Sequence, residues 1–135
     1  MDADAVNSLA KITLEGSLPF PQIVGDLIAQ GVEYYHVDYA SKSFTFYSAG
    51  GAAISASLTF EGLPSISQEW NESALKEAIL DSQQNGQKFR QFCARAMSAG
   101  VQGYFAFLRG QRVTYLGRNG DQHVEWLPGA KLSDA

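Results

Sequence analysis

The chain has 135 residues, 45% hydrophobic and 18% charged, with ten Lys and Arg against fourteen Asp and Glu for a net charge of −4. A chain of that size buries a core without disulfides or metals, and eight Phe, six Tyr and two Trp exclude a disordered polymer. The scattered basic residues lack the clustering that phosphate neutralisation needs, and no segment reaches the roughly 18 apolar residues of a membrane span, so neither nucleic acid nor membrane is an expected partner.

Asp2 to Leu14 reads as a helix, because Val6, Leu9 and Ile12 or Thr13 recur at helical spacing and Gly16 supplies a stop. A second helix is expected from Pro21, since proline is tolerated in a first helical turn. Ile23, Leu27 and Ile28 form its apolar face with Val24 beside them, and Gly31 stands as its C-terminal cap. The period then falls to two. Glu33 to Tyr39 and Ser43 to Ser48 are strands rich in Tyr, Val, Phe and Thr, joined by Ala40-Ser41-Lys42. After Gly50-Gly51, a third strand is expected over Ala52 to Phe60, where Ile54, Ala56, Leu58 and Phe60 alternate with Ser and Thr. Asn71 to Gln84 is a helix with Ser73 as a candidate N-cap and Asn85-Gly86 as its stop. Gln87 to Ala99 follows, with Phe89, Phe92, Cys93, Ala96 and Met97 on one stripe and Gly100 as cap. Gln102 to Leu108 and Gln111 to Gly117 are strands about Arg109-Gly110. Asn119-Gly120 is a strong hairpin signal, Gln122 to Leu127 a last strand, and Lys131 to Ala135 an expected frayed tail.

Sliding the chain against itself by 69 positions aligns Phe20 with Phe89, Gln22 with Gln91, Gly31-Val32 with Gly100-Val101, Tyr35 with Tyr104 and Thr45 with Thr114. The expectation is an internal repeat of helix, Gly-Val, strand, turn and strand over residues 20–48 and 89–117. It lies within one α+β domain spanning 1–135, in which two helix–hairpin units form one antiparallel sheet with helices packed on one face.

Two short motifs carry candidate chemistry. His36-Val37-Asp38 and His123-Val124-Glu125 each put an imidazole and a carboxylate on one face of a strand, because residues two apart share a face. Brought together, His36 and His123 with the carboxylates could hold a divalent metal, or one carboxylate could orient an imidazole as general base. The plainer reading leaves these side chains on the wet face of an edge strand, with Val37 and Val124 as the buried partners. Arg118, beside Asn119-Gly120-Asp121, is a candidate for a carboxylate or phosphate ligand, or simply a charge flanking a turn. Cys93 lies on an apolar stripe and reads as a buried structural thiol. Trp70 and Trp126 suit a ligand shelf or a core equally well. Gly50-Gly51 lacks the Lys-Ser/Thr of a phosphate loop, Gly-x-Ser-x-Gly does not occur, and no cofactor is called for.

The run Arg112-Val113-Thr114-Tyr115-Leu116-Gly117-Arg118, with Gly120, His123-Val124-Glu125 and Pro128, together with Gly31-Val32-Glu33, Tyr35 and Val37-Asp38, resembles the YbcV-like family. That is a bacterial and prophage domain of unknown function, sometimes labelled "phage envelope protein", and the resemblance covers most of the chain. It implies a bacterial or prophage origin and no particular activity. It directs attention to Asp38, Arg118, His123 and Glu125, and includes His36 less clearly.

Low charge, abundant aromatics and the absence of a catalytic signature favour a non-enzymatic binding or interaction domain that forms a homodimer. The rival is a small metal binder or acid–base enzyme in which His123 is base or ligand, Glu125 or Asp38 orients it, and Arg118 holds an anion; it requires these side chains to converge. The acidic start Met-Asp-Ala-Asp-Ala is unlike a secretory leader, and the lone cysteine implies no oxidising compartment, so a cytoplasmic location is expected.

Overall fold

The computed structural model describes residues 1–16, 18 and 20–128, and of Phe20 only the backbone; Pro19 and the expected tail Lys131 to Ala135 lie outside the described residues. Helix α1 (Ala3–Glu15) begins where the Asp2 carboxylate accepts from the Asp4 and Ala5 N–H groups, and ends on Gly16 at φ 69°. Helix α2 (Phe20–Ala29) leads into strands β1 (Val32–Asp38), β2 (Ser43–Ser48) and β3 (Ala53–Ser57). Helix α3 (Glu72–Gln84) and helix α4 (Phe89–Ser98) precede β4 (Val101–Phe107), β5 (Arg112–Gly117) and β6 (Gln122–Trp126).

The departures from expectation have local causes. The cap of α3 is Asn71, not Ser73: its side chain accepts from the Ala74 N–H, and its own N–H is tied to the Ala99 carbonyl. Strand β3 ends at Ser57, and Leu58 just beyond it is buried and donates its N–H to the Lys42 carbonyl. Ile28 is half exposed while Ile23 and Leu27 are buried, so the apolar face of α2 is narrower than its composition implies.

Among the described residues the strands form one antiparallel sheet in the order β3-β2-β1-β4-β5-β6. Every element of the first half has a counterpart of equal length 69 residues later: α1 with α3, α2 with α4, and β1, β2 and β3 with β4, β5 and β6. At the centre His36 of β1 lies opposite Phe105 of β4, two positions that are themselves 69 apart. Flanking them, Tyr39 donates its N–H to the Gln102 carbonyl and Leu108 to the Glu33 carbonyl, both at 3.0 Å, a pair of bonds related by the same offset.

The helices pack on one face of this sheet. Tyr35, Val37, Phe44, Phe46, Tyr104, Ala106, Val113 and Tyr115 point into the core, against Val6, Leu27, Leu75, Ile79, Phe92 and Cys93. Burying each large side chain contributes about 1.5–3 kcal/mol, which makes this layer the main source of stability. The register leaves a cross-strand row on the uncovered face: Tyr47, Tyr34, Phe107, Arg112 and Trp126 on β2, β1, β4, β5 and β6. Tyr34 and Tyr47 stack with ring centres 4.6 Å apart, and the Arg112 guanidinium sits 4.1 Å above the Trp126 ring. No helix among the described residues is long and apolar enough to cross a membrane.

Candidate functional site

Strand β6 is an edge strand, and its pairing decides where its side chains go. His123 lies opposite Tyr115 and Glu125 opposite Val113, both core residues, so the histidine and glutamate point inward beneath the helices. Val124 points outward and is 45% exposed. The expectation of a wet His-x-Glu face with Val124 buried is therefore inverted on β6. On β1 the facing is as expected, with Val37 fully buried and His36 and Asp38 facing out, but β1 is a central strand between β2 and β4 and not an edge.

His36 and Asp38 thus occupy the face of the sheet opposite to His123 and Glu125, and the four do not converge. His36 and His123, on strands β1 and β6 and on different faces, cannot share an ion, which corrects the two-histidine metal expectation; among the described residues no three His, Cys, Asp or Glu side chains are grouped to hold a metal. His36 stacks flat on Phe105, 4.1 Å between ring centres, and burial holds its pKa below the ordinary value against the opposing pull of Asp38. Asp38 closes the β1–β2 turn by accepting the Ala40 and Ser41 N–H groups at 2.9 and 3.2 Å. Partial burial works against its charge, yet the bonds from Ser41 and Ala40 hold the carboxyl below its usual range. Arg118 donates to the Ile66 carbonyl at 3.2 Å, pinning the long segment that joins β3 to α3. Two of the four candidates, Asp38 and Arg118, therefore have structural partners of their own.

His123 and Glu125 are brought together. Glu125 Oε1 lies 3.3 Å from His123 Nε2, and Glu72 Oε1, from the first turn of α3, lies 3.6 Å from His123 Nδ1. Both ring nitrogens face carboxylates, so the imidazole presents neither to the interior. A neutral ring has one N–H to donate and an imidazolium two.

Glu125 also borders a cavity of about 550 Å³ between the helices and the sheet. Its walls come from the end of α1, the start of α2, α3, the start of α4 and the second half of the sheet, including Phe89, Phe92, Tyr104, Tyr115, Trp126 and Leu127. The phenols of Tyr104 and Tyr115 are pushed far above their ordinary pKa by burial, so both stay neutral. Cys93 lies deeper in the core, its thiol pushed up to about 12 by burial with the Tyr39 hydroxyl acting against the rise. It is the structural thiol the sequence implies.

The two halves of the sheet supply an internal comparison. The positions 69 residues before His123 and Glu125 are Ile54 and Ala56, apolar side chains packed against the core. Where one half of the fold closes with hydrocarbon, the other places an imidazole, a carboxylate and a cavity. Glu72, Lys88, Tyr104 and Tyr115 were not legible as site residues from sequence. The signal that could have found the site is this substitution of polar for apolar residues at one offset.

No curated protein matches the chain. The model of the family described as "Protein of unknown function (DUF1398)" matches residues 6–124, and the chain belongs to that family.

Proposed function

We propose that the protein is a non-enzymatic binding domain that takes a small, largely apolar ligand into the cavity beneath β6. The observation that carries this reading is the cavity itself. About 550 Å³ of space walled by Phe89, Phe92, Tyr104, Tyr115 and Leu127 is in the range of small-molecule pockets, and a few polar groups among apolar walls are what such pockets use to orient a guest. The inward carboxylate of Glu125, at a place where the other half of the sheet carries Ala56, supports it. The 69-residue spacing of the elements supports a duplicated unit whose second copy acquired the pocket. The bacterial or prophage origin and the cytoplasmic location expected from the sequence fit such a role. Calorimetric titration with octanol tests the reading. One-site binding with a negative heat-capacity change, lost when Val113→Phe adds a ring to the cavity wall, is expected. A wild-type protein that takes up no octanol contradicts it.

Self-association through the uncovered sheet face is a second reading. It is supported by the aromatic row from Tyr47 to Trp126 and by exposed Val124. Sedimentation at high micromolar concentration is expected to show a dimer that Val124→Lys weakens; a monomer throughout ends this reading.

A further inference from the structure

The chemistry of the cavity wall narrows the ligand class, an inference that rests on the binding reading above. Most polar side chains at the cavity are already committed. Thr13 donates to the Leu9 carbonyl at 2.8 Å. The Gln87 amide donates to the Ala78 carbonyl and lies 2.9 Å from the Ser82 hydroxyl, while its oxygen accepts from Arg95. The buried Tyr104 hydroxyl is hydrogen-bonded with Tyr35. Glu125 is different. Its Oε1 faces His123, and among the described residues no donor is bonded to Oε2. A carboxylate beside an apolar cavity with one oxygen uncommitted is an acceptor waiting for a donor, and among the described residues it is the only carboxylate on the wall. The single lining cation among the described residues, Lys88, lies at the exposed rim with its methylenes against Gly16.

We propose that the cavity selects hydrophobic amines. The ammonium donates to Glu125 Oε2, and the hydrocarbon body lies against Phe92, Tyr115 and Leu127. His123, itself between Glu125 and Glu72, acts as a positioning residue that fixes the carboxylate's direction. The aromatic rings beside Glu125 add the attraction of a cation to a ring face, and a charge-assisted hydrogen bond in a partly dry site is stronger than a neutral one.

The test is a matched series of octylamine, octanol and octanoate, titrated calorimetrically into the full chain at pH 7. Octylamine is expected to bind about tenfold or more tightly than octanol, the margin of a single charge-assisted hydrogen bond. Glu125→Gln should remove that margin, read as the ratio of octylamine to octanol affinity in the same variant, and His123→Gln should reduce it. If octanol binds and octylamine binds no better, the amine inference fails and the cavity reading stands. If octanoate is preferred and Lys88→Met abolishes the preference, the headgroup is an anion and the inference is overturned. If none of the three binds, both readings fall. Circular dichroism of each variant confirms that it is folded.

Discussion

The most informative perturbation exchanges the site for what the other half of the molecule carries. His123→Ile with Glu125→Ala puts at β6 the pair that stands at Ile54 and Ala56 of β3. The wild-type contact is a 3.3 Å pair whose side chains are 13% and 36% exposed. A polar contact with that much solvent access contributes about 0–1 kcal/mol. Against that small loss, an isoleucine where His123 sits gains roughly 1–2 kcal/mol of apolar burial, less than the full value for a completely covered side chain. Replacing inward polar groups by hydrocarbon of similar shape is commonly neutral or stabilising for the same reason. The double variant is therefore expected to be as stable as the wild type or more stable by up to about 2 kcal/mol. With a urea dependence of about 2 kcal/mol per molar, that is a rise in midpoint of up to about 1 M, read by far-ultraviolet circular dichroism. Stability gained where affinity is lost is the expected signature of a residue kept for function. A loss of more than about 2 kcal/mol would refute the reasoning, because the pair would then be holding the fold together.

Three further outcomes are expected. Gly100→Ala should cost at least about 2 kcal/mol, because Gly100 sits at φ 98° and a Cβ there would meet the Glu69 carbonyl oxygen at 2.4 Å, whereas Gly120→Ala, at φ 84° with open space around it, should cost only about 1–2 kcal/mol; equal losses in urea unfolding would count against the close approach. Cys93, fully buried with its thiol raised to about 12, should resist alkylation by iodoacetamide at pH 8 in the native state and react once unfolded in urea, and rapid native labelling would contradict its placement. His36 titrates below its ordinary value of 6.5 in the folded chain, so the unfolded chain takes up the proton first and stability should decline as pH falls from about 6.5 through the folded value; His36→Phe, which keeps a ring on Phe105, should flatten that decline, and an unchanged pH profile of urea midpoints would assign it elsewhere.

Much of the fold was legible because its signals are local. Asp2 and Gly16 bracket α1, Gly31 and Gly100 mark helix-to-strand transitions, and the period-two runs became β1, β2, β4 and β5 with shifts of at most one residue. The 69-residue offset in Phe20, Gly31-Val32 and Tyr35 anticipated the element order. The candidate site was harder. His36-x-Asp38 and His123-x-Glu125 look alike as words, yet one faces out and the other in, because a strand's facing is fixed by its register with β4 or β5 and not by its own alternation. Val37 and Val124 are equally apolar and differ only in which layer lies beside them. Asp38 and Arg118 read as chemistry because turn-closing and loop-pinning bonds to backbone atoms leave no trace in side-chain pattern. The cavity depends on five separated segments meeting, which no window of sequence contains.

The central claim is that the space beneath β6 receives a ligand, and amide chemical-shift mapping during an octanol titration tests it most directly. Saturable shifts are expected at Phe92, Tyr104, Tyr115, Glu125 and Leu127, with Tyr34, His36 and Thr45 on the uncovered face unmoved. Shifts confined to that uncovered face, or none at any residue, would contradict it.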